Sequence, residues 1–169
     1  MRDYKEINPK NLNESTFKLI GSDWMLITAA KDETVNTMTA SWGGLGVLWN
    51  KNVAYIFIRP QRYTKEFVDA SDKFSLTFFD ESFKKDLNYL GTVSGRDEDK
   101  ISKTKLNVSY IESIPVFEEA KLTILCRKLY AQDLDPNCFI DKALADKCYP
   151  NKDYHTVYVA EIEKVLIKE

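Results

Sequence analysis

Three hydroxyl side chains at alternate positions, followed by a knot of glycines, are the first pattern in this sequence that could do chemistry. In Asn36-Thr37-Met38-Thr39-Ala40-Ser41-Trp42, a strand places Asn36, Met38, Ala40 and Trp42 on one face. Thr37, Thr39 and Ser41 fall on the other. Each hydroxyl donates and accepts at fixed spacing, so such a row can hold a polar ligand. It can also belong to an ordinary strand. Three of the six glycines follow at Gly43, Gly44 and Gly46. That cluster predicts a sharp turn, or a backbone that lets a ligand approach closely.

A second group lies a few residues on. Val53-Ala54-Tyr55-Ile56-Phe57-Ile58 is an almost unbroken apolar run that reads as a strand buried on both faces. It stops at Arg59-Pro60-Gln61-Arg62-Tyr63-Thr64. A helix is predicted over 65–70, with Thr64 as its N-cap. Free amides at a helix start beside two arginines suit a phosphate. Glu66, in the first turn, opposes an anion lying directly there. Arg59 and Arg62 also read as solvated surface charges.

Two further polar stretches carry candidate groups. Ser94-Gly95-Arg96-Asp97-Glu98-Asp99-Lys100 offers small residues, then a charged run. In it Lys100 reads either as a cation serving a site or as one of a solvated, locally paired set. Tyr154-His155-Thr156-Val157-Tyr158 holds the only histidine. His155 reads either as a site residue or as a loop histidine with a local hydrogen bond. One histidine cannot build a multi-histidine metal centre, and no nucleophile-elbow pattern accompanies it. The sequence has no Gly-x-x-x-x-Gly-Lys-Ser/Thr loop, no Gly-x-Gly-x-x-Gly fingerprint and no His-Glu-x-x-His.

These residues need a scaffold, and the composition allows one. The chain has 169 residues, 44% of them hydrophobic and 12% aromatic, enough for one domain with a sizeable core. Its 24 basic and 26 acidic side chains leave a net charge of −2. With no basic stripe, nucleic-acid binding is not expected. Cys126, Cys138 and Cys148 match neither a disulfide framework nor a zinc knuckle. Cys126, in an alternating apolar run, reads as core. A polar start without an apolar signal core, and no run of membrane-spanning length, point to a cytoplasmic protein with no membrane partner.

Residues 1–15 read as a polar lead-in. Residues 24–30 read as a strand, and 31–34 as the turn of a hairpin with the hydroxyl strand. Strands are expected again at 74–79, 122–130 and 156–167. Phe83, Leu87 and Leu90 mark one face of a helix. Residues 91–105 form a polar crossover, and 141–148 a short helix. Strands outnumber helices, and close neighbours favour antiparallel pairing. The expected architecture is mainly β: one barrel with a few short covering helices, over residues 1–169.

The hydroxyl strand, the Arg59–Thr64 segment, the Ser94–Lys100 segment and the Tyr154–Tyr158 segment, in that order and spacing, resemble the flavin reductase-like family. These are FMN-binding split barrels that include flavoredoxin. The resemblance implies an FMN-binding split β-barrel and a homodimer. It assigns the ring edge to Asn36, Thr37, Met38, Thr39, Ala40 and Ser41, with Trp42 beside it. Arg59, Arg62, Tyr63 and Thr64 would hold the phosphate and ribityl chain. Ser94, Gly95 and Lys100 would come from the crossover. The resemblance implies reduction of bound FMN by NAD(P)H, held transiently over the flavin without a Rossmann domain. A flavoredoxin-like electron carrier serving a partner protein, and a non-catalytic flavin-binding module, are its alternatives. Hydride transfer needs mainly positioning, so no catalytic residue is named. A cleft is expected beside Trp42 and the glycine turn, with His155 or the 141–148 segment at its rim.

Overall fold

Hairpins generate most of this structure, a computed structural model that describes residues 4–169. Strands β2 (Met25–Lys31) and β3 (Thr34–Ala40) turn at Asp32 and Glu33, whose φ angles are 48° and 63°. Strands β4 (Gly43–Leu48) and β5 (Lys51–Ile58) turn at Trp49 and Asn50, at 52° and 57°. Two consecutive positive φ angles match the right-handed twist of the flanking strands.

The remaining strands of the main sheet are β1 (Tyr4–Ile7), β6 (Lys73–Phe78), β9 (Leu122–Asp133) and β10 (Thr156–Lys168). A separate hairpin pairs β7 (Val108–Ile111) with β8 (Ile114–Phe117). The main sheet runs β3-β2-β6-β9-β10-β5-β4, and β1 pairs with β10. Every pairing is antiparallel. The two edge strands, β3 and β4, are consecutive in the chain and joined by Ser41 and Trp42 alone. The sheet therefore curls until its edges nearly meet, giving a barrel split along one seam.

The interior follows from alternation. Ala54, Ile56 and Ile58 of β5 meet Tyr158, Ala160 and Ile162 of β10, with Ile124 and Cys126 of β9. Helix α1 (Thr64–Ala70) adds Phe67 and Val68 to this cluster and so closes one mouth of the barrel. Burial pushes the Cys126 thiol pKa up, as its place in the core requires. A second apolar layer lies outside. Leu87 and Leu90 of helix α2 (Lys84–Thr92) cluster with Leu26, Phe79, Leu106 and Phe117. Helix α3 (Lys142–Cys148) starts at Asp141, whose side chain accepts from the Ala143 amide.

Three expectations need correction. The glycines at 43, 44 and 46 do not turn the chain. They form β4, and the Tyr55 ring lies against Gly44 and Gly46, where Cβ atoms would sit 3.6 and 3.5 Å from it. A Cβ on Gly43 would meet the Tyr55 carbonyl oxygen at 2.8 Å, so a bare backbone is required there. The polar lead-in contains β1, paired from Tyr4↔Lys168 to Ile7↔Val165. Thr64 is the first residue of α1, which begins after Tyr63 without a side-chain cap. The Thr64 hydroxyl instead accepts from the Asn36 amide at 2.8 Å.

Candidate functional site

Two cavities open on the seam side of the barrel and share Arg62. The first, about 210 Å³, is lined by residues 38–42 together with Phe57, Arg59, Arg62 and His155. The second, about 90 Å³, is walled by Asn36, residues 61–64, residues 91–95 and Lys100. All the candidate residues read from the sequence line one or the other, except Thr37.

The hydroxyl ladder does not act as a unit. Thr37 is fully buried. Its hydroxyl lies 2.8 Å from that of Thr28, its cross-strand partner, and donates to the Ile27 carbonyl at 3.1 Å. Thr39 donates its hydroxyl to the Leu87 carbonyl of α2. The backbone of Gly91 packs on the same side chain, where a Cβ would sit 3.1 Å from the Thr39 Cβ. The Thr39 hydroxyl thus ties the barrel to α2, while that of Thr37 ties β3 to β2. Ser41, past the end of β3, is exposed at the cavity.

The cations divide into two kinds. Arg59 is already engaged. It donates to Asp153 Oδ2 at 2.7 Å and to the Cys148 carbonyl at 2.9 Å, and its guanidinium sits 4.9 Å from the Tyr149 ring centre. Arg62 and Lys100 converge on the end of α2. Arg62 donates to the Gly91 carbonyl at 3.0 Å. Lys100 donates to the Leu90 and Val93 carbonyls at 2.7 and 2.9 Å. Unpaired carbonyls and the negative end of the helix dipole collect there, which explains why two positive groups gather. Lys100 is 4% exposed, so the solvated reading of its run fails at this residue. Burial, and then the Arg62 charge, push its ammonium pKa down to about 8. Burial also lowers the Arg62 pKa.

Around the second cavity the walls are held tightly. A Cβ on Gly95 would fall 2.3 Å from Asn36 Oδ1 and 3.2 Å from the Tyr63 ring. Only a glycine lets the crossover lie this close to β3 and the α1 start. Arg96 latches the same crossover: it donates to the Gln61 carbonyl at 3.1 Å, pairs with Glu66 and stacks over Tyr63. The Glu66 charge that opposed an anion is thus countered by Arg96.

The first cavity has an aromatic wall that sequence reading covered only in part. Trp42, half exposed, lies 5.3 Å from the His155 ring, and Phe57 meets that ring edge-on at 6.4 Å. His155 is buried, and its Nδ1 lies 2.7 Å from the Tyr149 hydroxyl. Burial, with the Arg59 charge second, lowers its pKa to about 4, so the imidazole is neutral near pH 7. Both readings of His155 therefore apply, since it makes a local bond and also lines the cavity beside Trp42. Phe57 and Tyr149 were missed. A strand that reads as apolar on both faces hides which of its residues meets a cavity, and Tyr149 reaches the site through a loop.

Among the described residues no cluster of His, Cys, Asp or Glu could hold a metal ion, and no helix is long and apolar enough to cross a membrane. The three cysteines are unpaired.

Comparison with known proteins agrees with this geometry. The family described as "Flavin reductase like domain" matches residues 17–169. Among curated proteins, none matches significantly. An FMN-binding domain of a flavin reductases-like enzyme from Shewanella baltica superposes with a TM-score of 0.72 at 13% identity, over 99% of this chain and 78% of that one. A flavoredoxin from Methanosarcina acetivorans gives 0.68 at 22%, over 98% and 75%. An FMN-binding protein from Thermus thermophilus gives 0.68 at 20%, over 100% and 83%. At these identities the likeness shows the fold, a mainly antiparallel split barrel.

Proposed function

Because this chain belongs to the flavin reductase-like domain family, we propose that it holds FMN along the barrel seam and works as a flavin reductase supplied by NADH or NADPH. One observation carries the reading. Arg62 lines both cavities, so an aromatic slot and a cationic, hydroxyl-rich pocket lie on either side of one arginine.

The residues present fit FMN. A phosphate needs cations and hydroxyl or amide donors, and the second cavity offers Arg62, Lys100, Thr64, Ser94 and the residue 91–95 backbone. A flat ring system needs an apolar slot with a few placed polar groups. The first cavity offers the β3 edge at Met38, Thr39, Ala40 and Ser41, with Trp42 and Phe57 as apolar walls. When bound, FMN supplies a ring that accepts and passes on a hydride. The chain would bind and orient that ring and present positive charge toward it. Trp42, half exposed, leaves one side open to a second planar ring. Thr37 supports β3 from behind and Arg59 supports the loop before β10, neither gripping the ligand directly.

The homodimer implied by family likeness has support on the barrel's outer face. Alternation puts Gly44, Tyr55, Val159 and Tyr130 in one row across β4, β5, β10 and β9. Phe57 and Val157 stand beside them. Helix α2 and the β7–β8 hairpin pack on the other side, against Leu26, Phe79 and Leu125. A second copy covering the apolar row would flank the first cavity, which shares Phe57. Unpaired cysteines suit a reducing, cytoplasmic setting.

The purified protein is expected to be yellow, or to take up one FMN with a rise in melting temperature. Colourless protein with no FMN-induced thermal shift would reject the reading. Stopped-flow mixing of the FMN form with NADH and with NADPH separates reductase from carrier. Saturable bleaching by either supports the reductase. Bleaching by dithionite alone would favour an electron carrier reduced by a partner protein, as in flavoredoxins.

A further inference from the structure

We infer that Tyr149 is a positioning residue that holds His155 as its Nε2–H tautomer, so that the aromatic cavity presents a hydrogen-bond donor to a planar ring bearing a carbonyl oxygen. The ligand half of this statement rests on the flavin reading above; the tautomer half does not.

The argument starts from the two nitrogens of one ring. His155 Nδ1 lies 2.7 Å from the Tyr149 hydroxyl, and both residues are 7% exposed. One of the two must give the proton. Burial raises the Tyr149 pKa, so the phenol keeps its proton near neutral pH. A phenol O–H is a stronger acid than a neutral imidazole N–H, and an imidazole nitrogen accepts better than a phenol oxygen, so the O–H is the proton to give. The Arg59 guanidinium, 4.9 Å above the Tyr149 ring centre, favours electron density on the ring and strengthens the phenol as a donor. Nδ1 therefore accepts, and the ring proton of a neutral imidazole stands on Nε2. The charges that face His155 are Arg59 and Arg62, with Asp153 opposing them. Two cations against one carboxylate, together with burial, disfavour the imidazolium.

With Nδ1 occupied, Nε2 is the ring nitrogen left for the cavity that His155 lines with Trp42 and Phe57. A neutral N–H beside an indole suits a flat ring with a neutral oxygen acceptor, because no charge has to be desolvated to make the bond. A ring carboxamide has both parts: a face for Trp42 and an oxygen for Nε2–H. The nicotinamide end of NADH or NADPH is of that class.

His155 is the only histidine, so protein freed of any tag and labelled with ¹⁵N-histidine shows one imidazole in two-bond ¹H–¹⁵N spectra. The expected pattern is the Nε2–H tautomer, unchanged from about pH 8 down to about pH 5.5, well past the ordinary histidine value. An Nδ1–H pattern, or an imidazolium at about pH 6.5, would overturn the proposal. Tyr149→Phe should give a mixture of tautomers. In the FMN-loaded protein it should raise KM for the active nicotinamide about tenfold, the scale of one lost hydrogen bond, and leave kcat nearly unchanged. His155→Asn keeps an N–H donor but has no tautomers. Adding Tyr149→Phe to it should change KM by less than about twofold. A full tenfold loss in that background would mean Tyr149 acts by packing alone, and the positioning role would fall. If Tyr149→Phe does not fold, the spectrum of the unsubstituted protein still decides. Protein that shows the Nε2–H tautomer but binds no FMN keeps the lock and loses the flavin reading.

Discussion

Arg59 and Arg62 stand three positions apart and look alike in the sequence, yet their surroundings give them different work. Arg59 spends its donors on Asp153 and the Cys148 carbonyl. Arg62, on the wall of both cavities, faces Lys100 across the end of α2. Arg62→Ala should weaken FMN binding at least tenfold while riboflavin binding barely changes, because one charge-assisted bond contributes about 1.5–3 kcal/mol. Arg59→Ala should alter FMN binding by less than about threefold. Fluorescence titration with both flavins measures this, and equal losses for FMN and riboflavin would make Arg62 a structural residue only. Lys100 adds a pH signature. Its pKa is lowered to about 8, while an unfolded lysine keeps its proton to about pH 10.4. Between those values the unfolded chain binds more protons, so stability of the free protein rises with pH. FMN affinity should move the other way, falling as Lys100 loses its charge, with riboflavin flat over the same window. Lys100→Met should abolish both trends; trends that persist in that variant would assign them to other groups.

At the scale of elements, the link between β3 and β4 sets the site. Ser41 and Trp42 carry the chain from one edge of the sheet to the other, and the first cavity forms at that crossing. The closeness of β4 to β5 depends on one position. A Cβ on Gly43 would meet Tyr55 backbone oxygen at 2.8 Å and the Met25 terminal methyl at 3.1 Å. Backbone cannot swing aside, so Gly43→Ala should cost about 1–3 kcal/mol, the range for overpacking. Gly44→Ala meets only the Tyr55 ring at 3.6 Å, an ordinary contact, and should cost far less. Thermal unfolding of the two variants compares them; equal melting temperatures would show that β4 relaxes freely.

For the whole molecule, the barrel is clothed unevenly. Helix α2 and the β7–β8 hairpin cover the outer face near β2, β6 and β9. Among the described residues, α2 and that hairpin leave the row through Gly44, Tyr55, Val159 and Tyr130 uncovered, and Trp49 and Tyr130, 6.3 Å apart, are 54% and 44% exposed. This is the surface that a second copy would cover in the proposed dimer. Sedimentation equilibrium should find a dimer. The pair Trp49→Glu and Tyr130→Glu should weaken it by roughly a hundredfold, the scale of two lost aromatic anchors. A monomer at all concentrations, or a dimer that ignores both substitutions, would reject this face.

The sequence by itself determined the elements whose signals are local. Period-two alternation marked β3, β6, β9 and β10, an apolar run before a polar turn marked β2, the spacing of Leu87 and Leu90 marked α2, and the four polar segments marked residues that line the two cavities. It also showed the family likeness that the domain match bears out. The tertiary structure decided what depends on partners far along the chain. Gly43, Gly44 and Gly46 read as a turn because their reason, Tyr55 of the next strand, lies on a different element. Thr37 and Thr39 read as ligand groups because hydroxyls are donors wherever they point, and only Thr28, the Ile27 carbonyl and the Leu87 carbonyl show where their bonds go. Lys100 kept two readings, site cation or solvated charge, because three acidic neighbours precede it. Its carbonyl partners at Leu90 and Val93 exist only once α2 has formed and ended beside it. Side-chain type and spacing are properties of a chain, but burial and hydrogen-bond partners belong to the folded surface those side chains meet.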